Sequence, residues 1–137
     1  MIGIVIVAHG GLAREYLSAV QHVVGPQPGM RAIAIEDDHD RGAKQAEICA
    51  AADDVDQGDG VVVVTDLFGG SPSNLSLMAC AARNRAILAG ANLPMLVKLA
   101  KSRRLTVPEA VARAKDAGRK YIASFDLSGT AQGKVAS

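Results

Sequence analysis

Short apolar runs alternate along this chain with stretches in which apolar residues recur every three or four positions. The runs are rich in β-branched residues and predict strands that are buried on both faces. The periodic stretches predict amphipathic helices, several of which end at glycine or proline. The predicted strands run from Ile2 up to His9 and over 30–35, 61–65, 86–90 and 121–125, and the predicted helices cover roughly 12–24, 41–56, 75–82, 95–102 and 107–118.

The alternation of strands and helices predicts one α/β domain built on a doubly wound, mostly parallel sheet. We expect the strand order of flavodoxin-like folds, with helices on both faces and Tyr121–Phe125 as a C-terminal edge strand. No internal repeat or linker divides the chain. The predicted domain therefore spans residues 1–125, and residues 126–137, which have little to bury, are expected to form a flexible tail.

Composition narrows the class of protein. The chain has 137 residues, 49% of them apolar, which predicts a globular domain with a real core. Its 15 basic and 14 acidic residues nearly cancel and form no basic stripe, which argues against a nucleic-acid partner. Cys49 and Cys80 lack metal-binding spacing and are interpreted as reduced thiols. Without a signal peptide or a run long enough to span a membrane, the expected location is the cytoplasm.

The first predicted strand stops at His9, and Gly10 and Gly11 follow before helical periodicity begins. In open α/β sheets, ligands bind at the carboxyl ends of the strands. An imidazole at that edge, beside backbone that two glycines leave bare, is a candidate reactive group. The alternative is a histidine that only satisfies a loop hydrogen bond.

A second polar group follows the third predicted strand, which contains four consecutive valines and ends at Thr65-Asp66. If the first and third strands are neighbours, their carboxyl ends meet, and Asp66 could pair with His9. A carboxylate bound to one ring nitrogen fixes the tautomer and leaves the other nitrogen free as a nucleophile. The alternative for Asp66 is a carboxylate that caps the following helix.

The stretch Gly69-Gly70-Ser71-Pro72 comes next and precedes a predicted helix. Its glycines allow backbone N–H groups to face an anion, and the start of a helix favours negative charge. Together with His9, this is a cradle for a phosphoryl group, and phosphoryl transfer depends mainly on positioning and charge stabilisation. Ser71 is interpreted as a helix cap in preference to a reactive hydroxyl, because the stretch does not match the G-x-S-x-G nucleophile motif.

The dense charge run of residues 36–40, Glu-Asp-Asp-His-Asp, permits two interpretations. Carboxylates and an imidazole are suitable metal ligands. Consecutive residues seldom converge on one ion, however, and a solvated loop that caps the next helix is the preferred interpretation. No metal site and no cofactor are predicted.

Three motifs together resemble the IIA component of the mannose family of the phosphoenolpyruvate-dependent sugar phosphotransferase system. They are V-I-V-A-H-G-G-L-A near the start, V-V-V-V-T-D-L-F-G-G-S-P-S-N in the middle and A-G-A-N-L-P-M-L further on. The resemblance extends over about residues 1–125. It implies that His9 accepts a phosphoryl group from the phosphocarrier protein HPr and passes it to a IIB component. Asp66 would be the carboxylate partner of His9, and Thr65 and Ser71 would line the pocket. With the glycines of the two turns, the predicted phosphoryl-binding residues are Gly10, Thr65, Gly69, Gly70 and Ser71.

The resemblance also implies a homodimer, in which a C-terminal edge strand is often exchanged between subunits, and contact with a membrane only through a permease. Tyr121–Phe125 is the candidate for that strand. Two other roles stay open: a regulatory module whose phosphorylation state changes partner binding, and a phosphocarrier that serves a dihydroxyacetone kinase. A receiver domain fits less well, because Ala8-His9 stands where receivers carry an acidic pair for Mg²⁺.

Overall fold

The computed structural model of the chain describes residues 1–36, 40–67, 74, 76 and 84–128. Within these ranges, the strands and helices up to residue 120 follow one another in the order that the sequence pattern predicts. The strands are β1 (Gly3–His9), β2 (Met30–Ile35), β3 (Val61–Thr65) and β4 (Arg85–Ala89), and the helices are α1 (Leu12–Val24), α2 (Arg41–Val55), α3 (Leu93–Lys101) and α4 (Val107–Lys120). The predicted helix over 75–82 lies outside the described residues.

The four strands form one parallel sheet in the order β2-β1-β3-β4. This arrangement confirms the predicted doubly wound α/β fold with flavodoxin-like order. In the register of β1 and β3, Val7 pairs with Thr65. One further step therefore sets Asp66 beside the end of β1, where His9 is the last strand residue.

The core has two parts, because the central strands are buried on both faces. On one face, α1, α3 and α4 pack against alternate residues of the sheet, including Ile4, Ile6, Val62 and Val64. On the other face, α2 packs against Val5, Val7, Val61 and Val63. The long valine and isoleucine runs of the sequence follow from this double burial, which is typical of parallel sheets.

Glycine at position 3 is required by the close approach of β1 to α2. A Cβ atom added to Gly3 would lie 2.4 Å from the carbonyl oxygen of Val55, far inside van der Waals contact. The approach brings α2 down onto the amino end of β1. Any larger side chain there would push this helix away from the sheet.

A buried arginine ties three loops together at the amino-terminal edge of the sheet. The Arg103 side chain donates hydrogen bonds to the carbonyl oxygens of Ile2, at 2.8 Å, and Gly29, at 3.1 Å. It donates a third to the side-chain oxygen of Gln27, at 3.2 Å. Arg103 is 4% exposed, and burial lowers its pKa. The clamp fixes the start of β1 and the loop before β2.

The helix boundaries follow local capping chemistry. Asn92 caps α3 by accepting a hydrogen bond from the Met95 N–H at 3.0 Å. Thr106 and Glu109 form the capping box that the sequence predicts at the start of α4. α4 then continues two residues past the predicted stop at Gly118 and ends at Lys120.

The predicted fifth strand at Tyr121–Phe125 is wrong for the single chain. Tyr121 caps the end of α4, and only an isolated β-bridge residue, Ser124, occurs in the described residues that follow. The apolar side chains that suggested a strand find no core to pack against, since Ile122 is 73% exposed and Phe125 is 48% exposed. The sheet of the described residues therefore ends at β4.

Candidate phosphoryl-transfer site at the carboxyl edge of the sheet

His9 and Asp66 meet where β1 and β3 end side by side. The Nδ1 atom of His9 lies 2.9 Å from Oδ2 of Asp66, which is hydrogen-bond distance. The same carboxylate oxygen accepts the backbone N–H of His9 at 3.1 Å. Asp66 therefore holds both the ring and the backbone of one residue, which fixes the direction of the ring.

The Asp66 carboxylate is well suited to stay ionised. Burial alone would raise the pKa of Asp66, but the hydrogen bonds from the His9 ring and backbone outweigh it and lower this pKa. The Leu67 N–H adds a further donor, at 2.9 Å from Oδ1. An ionised carboxylate can only accept a hydrogen bond, so the ring nitrogen that faces Asp66 must carry a hydrogen. In the neutral imidazole of His9, this hydrogen is therefore on Nδ1.

The two ends of the pair differ in their access to solvent. The Asp66 side chain is 11% exposed, whereas the His9 side chain is 50% exposed. With Nδ1 turned to the carboxylate, the lone pair of Nε2 points away from it. The site therefore presents an oriented, half-exposed imidazole backed by a shielded negative charge.

Tyr16 of α1 borders the same site from within the protein, although the sequence pattern marks it only as a core residue. Its hydroxyl donates to the Ala91 carbonyl oxygen at 3.1 Å. Burial raises the pKa of Tyr16, and the negative charge of nearby Asp66 raises it further. The Ala91 N–H in turn donates to the Thr65 carbonyl oxygen at 3.0 Å. Tyr16 thus connects α1 to the segment just before Asp66.

Thr65, a predicted phosphoryl-binding residue, is completely buried at the end of β3. Its hydroxyl oxygen has no hydrogen-bond partner among the described residues. A buried hydroxyl without a partner destabilises a folded protein, and a functional role is one of the reasons for which such a group is retained. Thr65 lies directly beside Asp66, but in this state its side chain does not reach the surface.

Gly10, another predicted phosphoryl-binding residue, lies directly after His9 with φ +56°, a left-handed conformation that favours glycine. Its N–H donates to the Ile35 carbonyl oxygen at 3.1 Å, which ties the turn to β2. The other predicted phosphoryl-binding residues, Gly69, Gly70 and Ser71, lie outside the described residues.

The acidic run after β2 is partly described. Asp40 caps α2, since its side chain accepts the Ala43 N–H at 3.2 Å, in agreement with the interpretation as a helix-capping loop. Residues 37–39 lie outside the described residues. In the part of the chain that the structure describes, no three His, Cys, Asp or Glu side chains form a group that could hold a metal ion.

Fold and site together define a doubly wound α/β protein with a histidine–carboxylate pair at the carboxyl edge of a parallel sheet. The profile of the EIIA-man family, described as the fructose IIA component of the phosphotransferase system (PTS), matches residues 3–115. The chain belongs to this family, as its three motifs predict. It is therefore a PTS component, and membership implies phosphotransfer activity and interaction with the HPr and IIB components of that system.

Solved structures give the same assignment. The chain is similar to the phosphotransferase system component EIIA from Streptococcus agalactiae, with 26% identity, a TM-score of 0.81 and coverage of 90% of this chain and 97% of that one. For the mannose/sorbose-specific IIA subunit from Enterococcus faecalis, the identity is 26%, the TM-score 0.82 and the coverage 94% and 98%. The PTS IIA protein associated with the fucose utilization operon of Streptococcus pneumoniae is 28% identical, with a TM-score of 0.73 and coverage of 83% of this chain and 88% of that one. Comparison with curated protein sequences gave no match.

Membrane-spanning helices were also sought. None of the helices in the described part of the chain combines the length and the hydropathy needed to cross a bilayer.

Proposed function

We propose that the protein is a phosphoryl carrier in which His9 accepts a phosphoryl group from phospho-HPr. The observation that carries this proposal is the 2.9 Å contact between His9 Nδ1 and Asp66, in a ring that is half exposed. It assigns the proton to one nitrogen and leaves the other as the nucleophile. Family membership supplies the donor, because IIA components act with HPr.

In the forward step, the Nε2 lone pair of His9 attacks the phosphorus of the phosphohistidine on HPr. A new N–P bond forms as the old N–P bond breaks, and the electron pair of the old bond returns to the donor imidazole. The His9 ring becomes cationic, with its proton still held on Nδ1 by Asp66. The adjacent carboxylate stabilises this cation, as it does for the histidine of a catalytic triad.

The backbone around the ring completes the proposed site. Gly10 gives the backbone free access beside His9, and the loop with Gly69, Gly70 and Ser71 is proposed to supply further N–H donors to the phosphoryl oxygens. Thr65, which lies directly before Asp66, is proposed to line the buried side of the site. In the second half of the cycle, the phosphoryl group leaves His9 for a residue of a IIB component, or it stays on His9 as a regulatory signal.

A second copy of the chain is the partner proposed for the C-terminal segment. Ile122, Phe125 and Leu127 are 73%, 48% and 86% exposed, which is a large apolar surface for six consecutive residues. The outer edge of β4 has no neighbouring strand in the described sheet. An exchanged strand would cover both features at once.

A phosphotransfer assay tests the main proposal. The protein is incubated with phosphoenolpyruvate, enzyme I and HPr, and its mass is measured intact. We expect the gain of one phosphoryl group that is labile in acid and stable in base. His9→Ala should abolish the gain, whereas His22→Ala, an exposed histidine near the end of α1, should retain it. Unmodified wild-type protein beside phosphorylated HPr would refute the carrier function.

A further inference from the structure

His9 and Asp66 are carried by two different parts of the fold. Beyond His9, the chain reaches α1 within two residues, Gly10 and Gly11, so the position of this helix is tied to the end of β1. Asp66 directly follows β3. A contact from α1 to the end of β3 would therefore hold the two members of the pair relative to each other.

Tyr16 of α1 makes this contact through two hydrogen bonds in series. Its hydroxyl donates to the carbonyl oxygen of Ala91 at 3.1 Å. The Ala91 N–H donates to the carbonyl oxygen of Thr65 at 3.0 Å. That carbonyl belongs to the planar peptide group that joins Thr65 to Asp66, so a hold on its oxygen restrains the backbone at Asp66.

The packing of α1 keeps the Tyr16 ring in place. Ala13 and Val20, three residues before and four residues after Tyr16 on the same helix face, are buried in the core on that side of the sheet. The Tyr16 side chain packs against the same core cluster. A phenylalanine would satisfy this packing, so the hydroxyl is the part of the side chain that the core does not require.

The hydroxyl of Tyr16 is suited to remain a donor. Burial raises the pKa of Tyr16, and the negative charge of Asp66 raises it further. The phenol therefore keeps its proton at neutral pH and continues to donate to the Ala91 carbonyl oxygen.

We propose that Tyr16 is a positioning residue for phosphoryl transfer to His9. It acts through the backbone of Ala91 and Thr65 and thereby holds the Asp66 carboxylate against the ring. This inference rests on the proposed phosphorylation of His9. In this role Tyr16 exchanges no proton with the imidazole and forms no bond to phosphorus.

Removal of the hydroxyl alone tests the proposal. In Tyr16→Phe the ring keeps its packing, but the Ala91 carbonyl oxygen loses this donor. We expect phosphorylation by phospho-HPr, measured by intact mass, to slow by about three- to tenfold, which is the effect of one lost hydrogen bond. A rate equal to that of wild type would overturn the proposal.

Because the proposed route runs through Asp66, the effect should depend on that carboxylate. In the Asp66→Asn background, Tyr16→Phe should slow phosphorylation by less than about twofold, since the contact that Tyr16 supports has already been removed. An undiminished effect in this background would contradict the route and place the action of Tyr16 elsewhere, such as in the docking of HPr.

Ser102→Ala is the matched control, because it removes a hydroxyl that makes the same kind of bond at the opposite edge of the sheet. Ser102 caps the end of α3, is 5% exposed and donates to the Lys98 carbonyl oxygen at 2.7 Å. Both variants should lower the thermal unfolding midpoint by a few degrees. Only Tyr16→Phe should slow phosphorylation, and equal slowing in the two variants would reduce Tyr16 to a structural residue.

The His9 ring provides a second readout, which does not depend on phosphorylation. The nitrogen NMR chemical shifts of the neutral ring, measured at alkaline pH, report the share of molecules that carry the hydrogen on Nδ1. This tautomer should dominate in wild type and in Ser102→Ala, and its share should fall in Tyr16→Phe. An unchanged share in Tyr16→Phe would rule out the positioning role. If wild type is not phosphorylated, the proposed function fails, whereas the ring tautomer still tests the hold of Tyr16 on the pair.

Discussion

A single oxygen of Asp66, Oδ2, accepts hydrogen bonds from both the ring Nδ1 and the backbone N–H of His9, at 2.9 and 3.1 Å. The carboxylate therefore fixes the position of the strand end together with the direction of the side chain it carries. This geometry makes Asp66 the residue whose replacement discriminates best between a reactive histidine and a structural one.

Asp66→Asn should slow phosphorylation of His9 by about 10–100-fold, the usual cost of removing the group that orients a functional histidine. The amide keeps the size of the side chain but lacks the charge that stabilises the cationic ring. The rate of phosphoryl gain from phospho-HPr, measured by intact mass, checks this prediction. Asp116→Asn, which changes an exposed carboxylate of α4, is the matched control. An equal rate for Asp66→Asn and wild type would show that the carboxylate has no part in transfer.

The acid stability of the protein should depend on the same carboxylate. The pKa of Asp66 is lower in the folded protein than in the unfolded chain. The ionised carboxylate therefore adds to the free energy of unfolding, and this stabilisation is fully present above the unfolded pKa of about 3.9. That contribution is lost as the pH falls through the folded pKa. Wild type should thus exceed Asp66→Asn in free energy of unfolding near pH 6, and the difference should shrink toward pH 3. Urea denaturation across this range would measure it, and a constant difference would contradict the assignment.

Arg103 should be among the most important single side chains for stability. Arg103→Ala would leave the carbonyl oxygens of Ile2 and Gly29 without their donor, and we expect a loss of about 3 kcal/mol in the free energy of unfolding. Urea denaturation of this variant and of Arg104→Ala, its exposed neighbour, is the test. The neighbour should change stability by less than about 0.5 kcal/mol. Similar losses for the two variants would argue against the clamp.

The exposed apolar segment after α4 should mediate self-association. We expect wild type to form a dimer in light scattering, and the double variant Ile122→Glu, Phe125→Glu to be monomeric, because two charges cannot be buried in an apolar contact. Gln21→Glu, which adds a charge at an exposed position of α1, should remain dimeric. A wild-type monomer at high concentration would exclude the proposed dimer.

The sheet and the proximity of His9 to Asp66 were predictable because they depend on local patterns and on one general rule. Val61–Thr65 and the run before His9 are strongly β-branched, and the strand order of doubly wound folds makes them neighbours. The ends of neighbouring parallel strands then meet. Long-range partners of this kind can be inferred only where topology brings two strand ends together.

Other features had no signal in the sequence. Nothing in the loop around Arg103 predicts that its guanidinium folds inward onto the carbonyl oxygens of Ile2 and Gly29, residues far away in the chain. Tyr16 occupies an ordinary helix position, and only the packing of α1 brings it to the site. The segment 121–125 forms no strand within the single chain, and apolar composition alone could not show whether this chain or a second copy covers it.

The double hold of Asp66 on His9 has a consequence for the encounter with a phosphoryl donor. An exposed histidine ordinarily samples several rotamers, and a reaction must wait until one of them points correctly. Here the two hydrogen bonds to Asp66 fix the His9 ring as soon as the chain folds. The entropic cost of ordering the ring is therefore part of the free energy of folding and does not add to the activation barrier of phosphoryl transfer. A distant substitution that loosens the pairing of β1 with β3 would let the His9 ring move again. The ring would then have to be ordered during the reaction, and phosphoryl transfer would slow even though His9 and Asp66 are both unchanged.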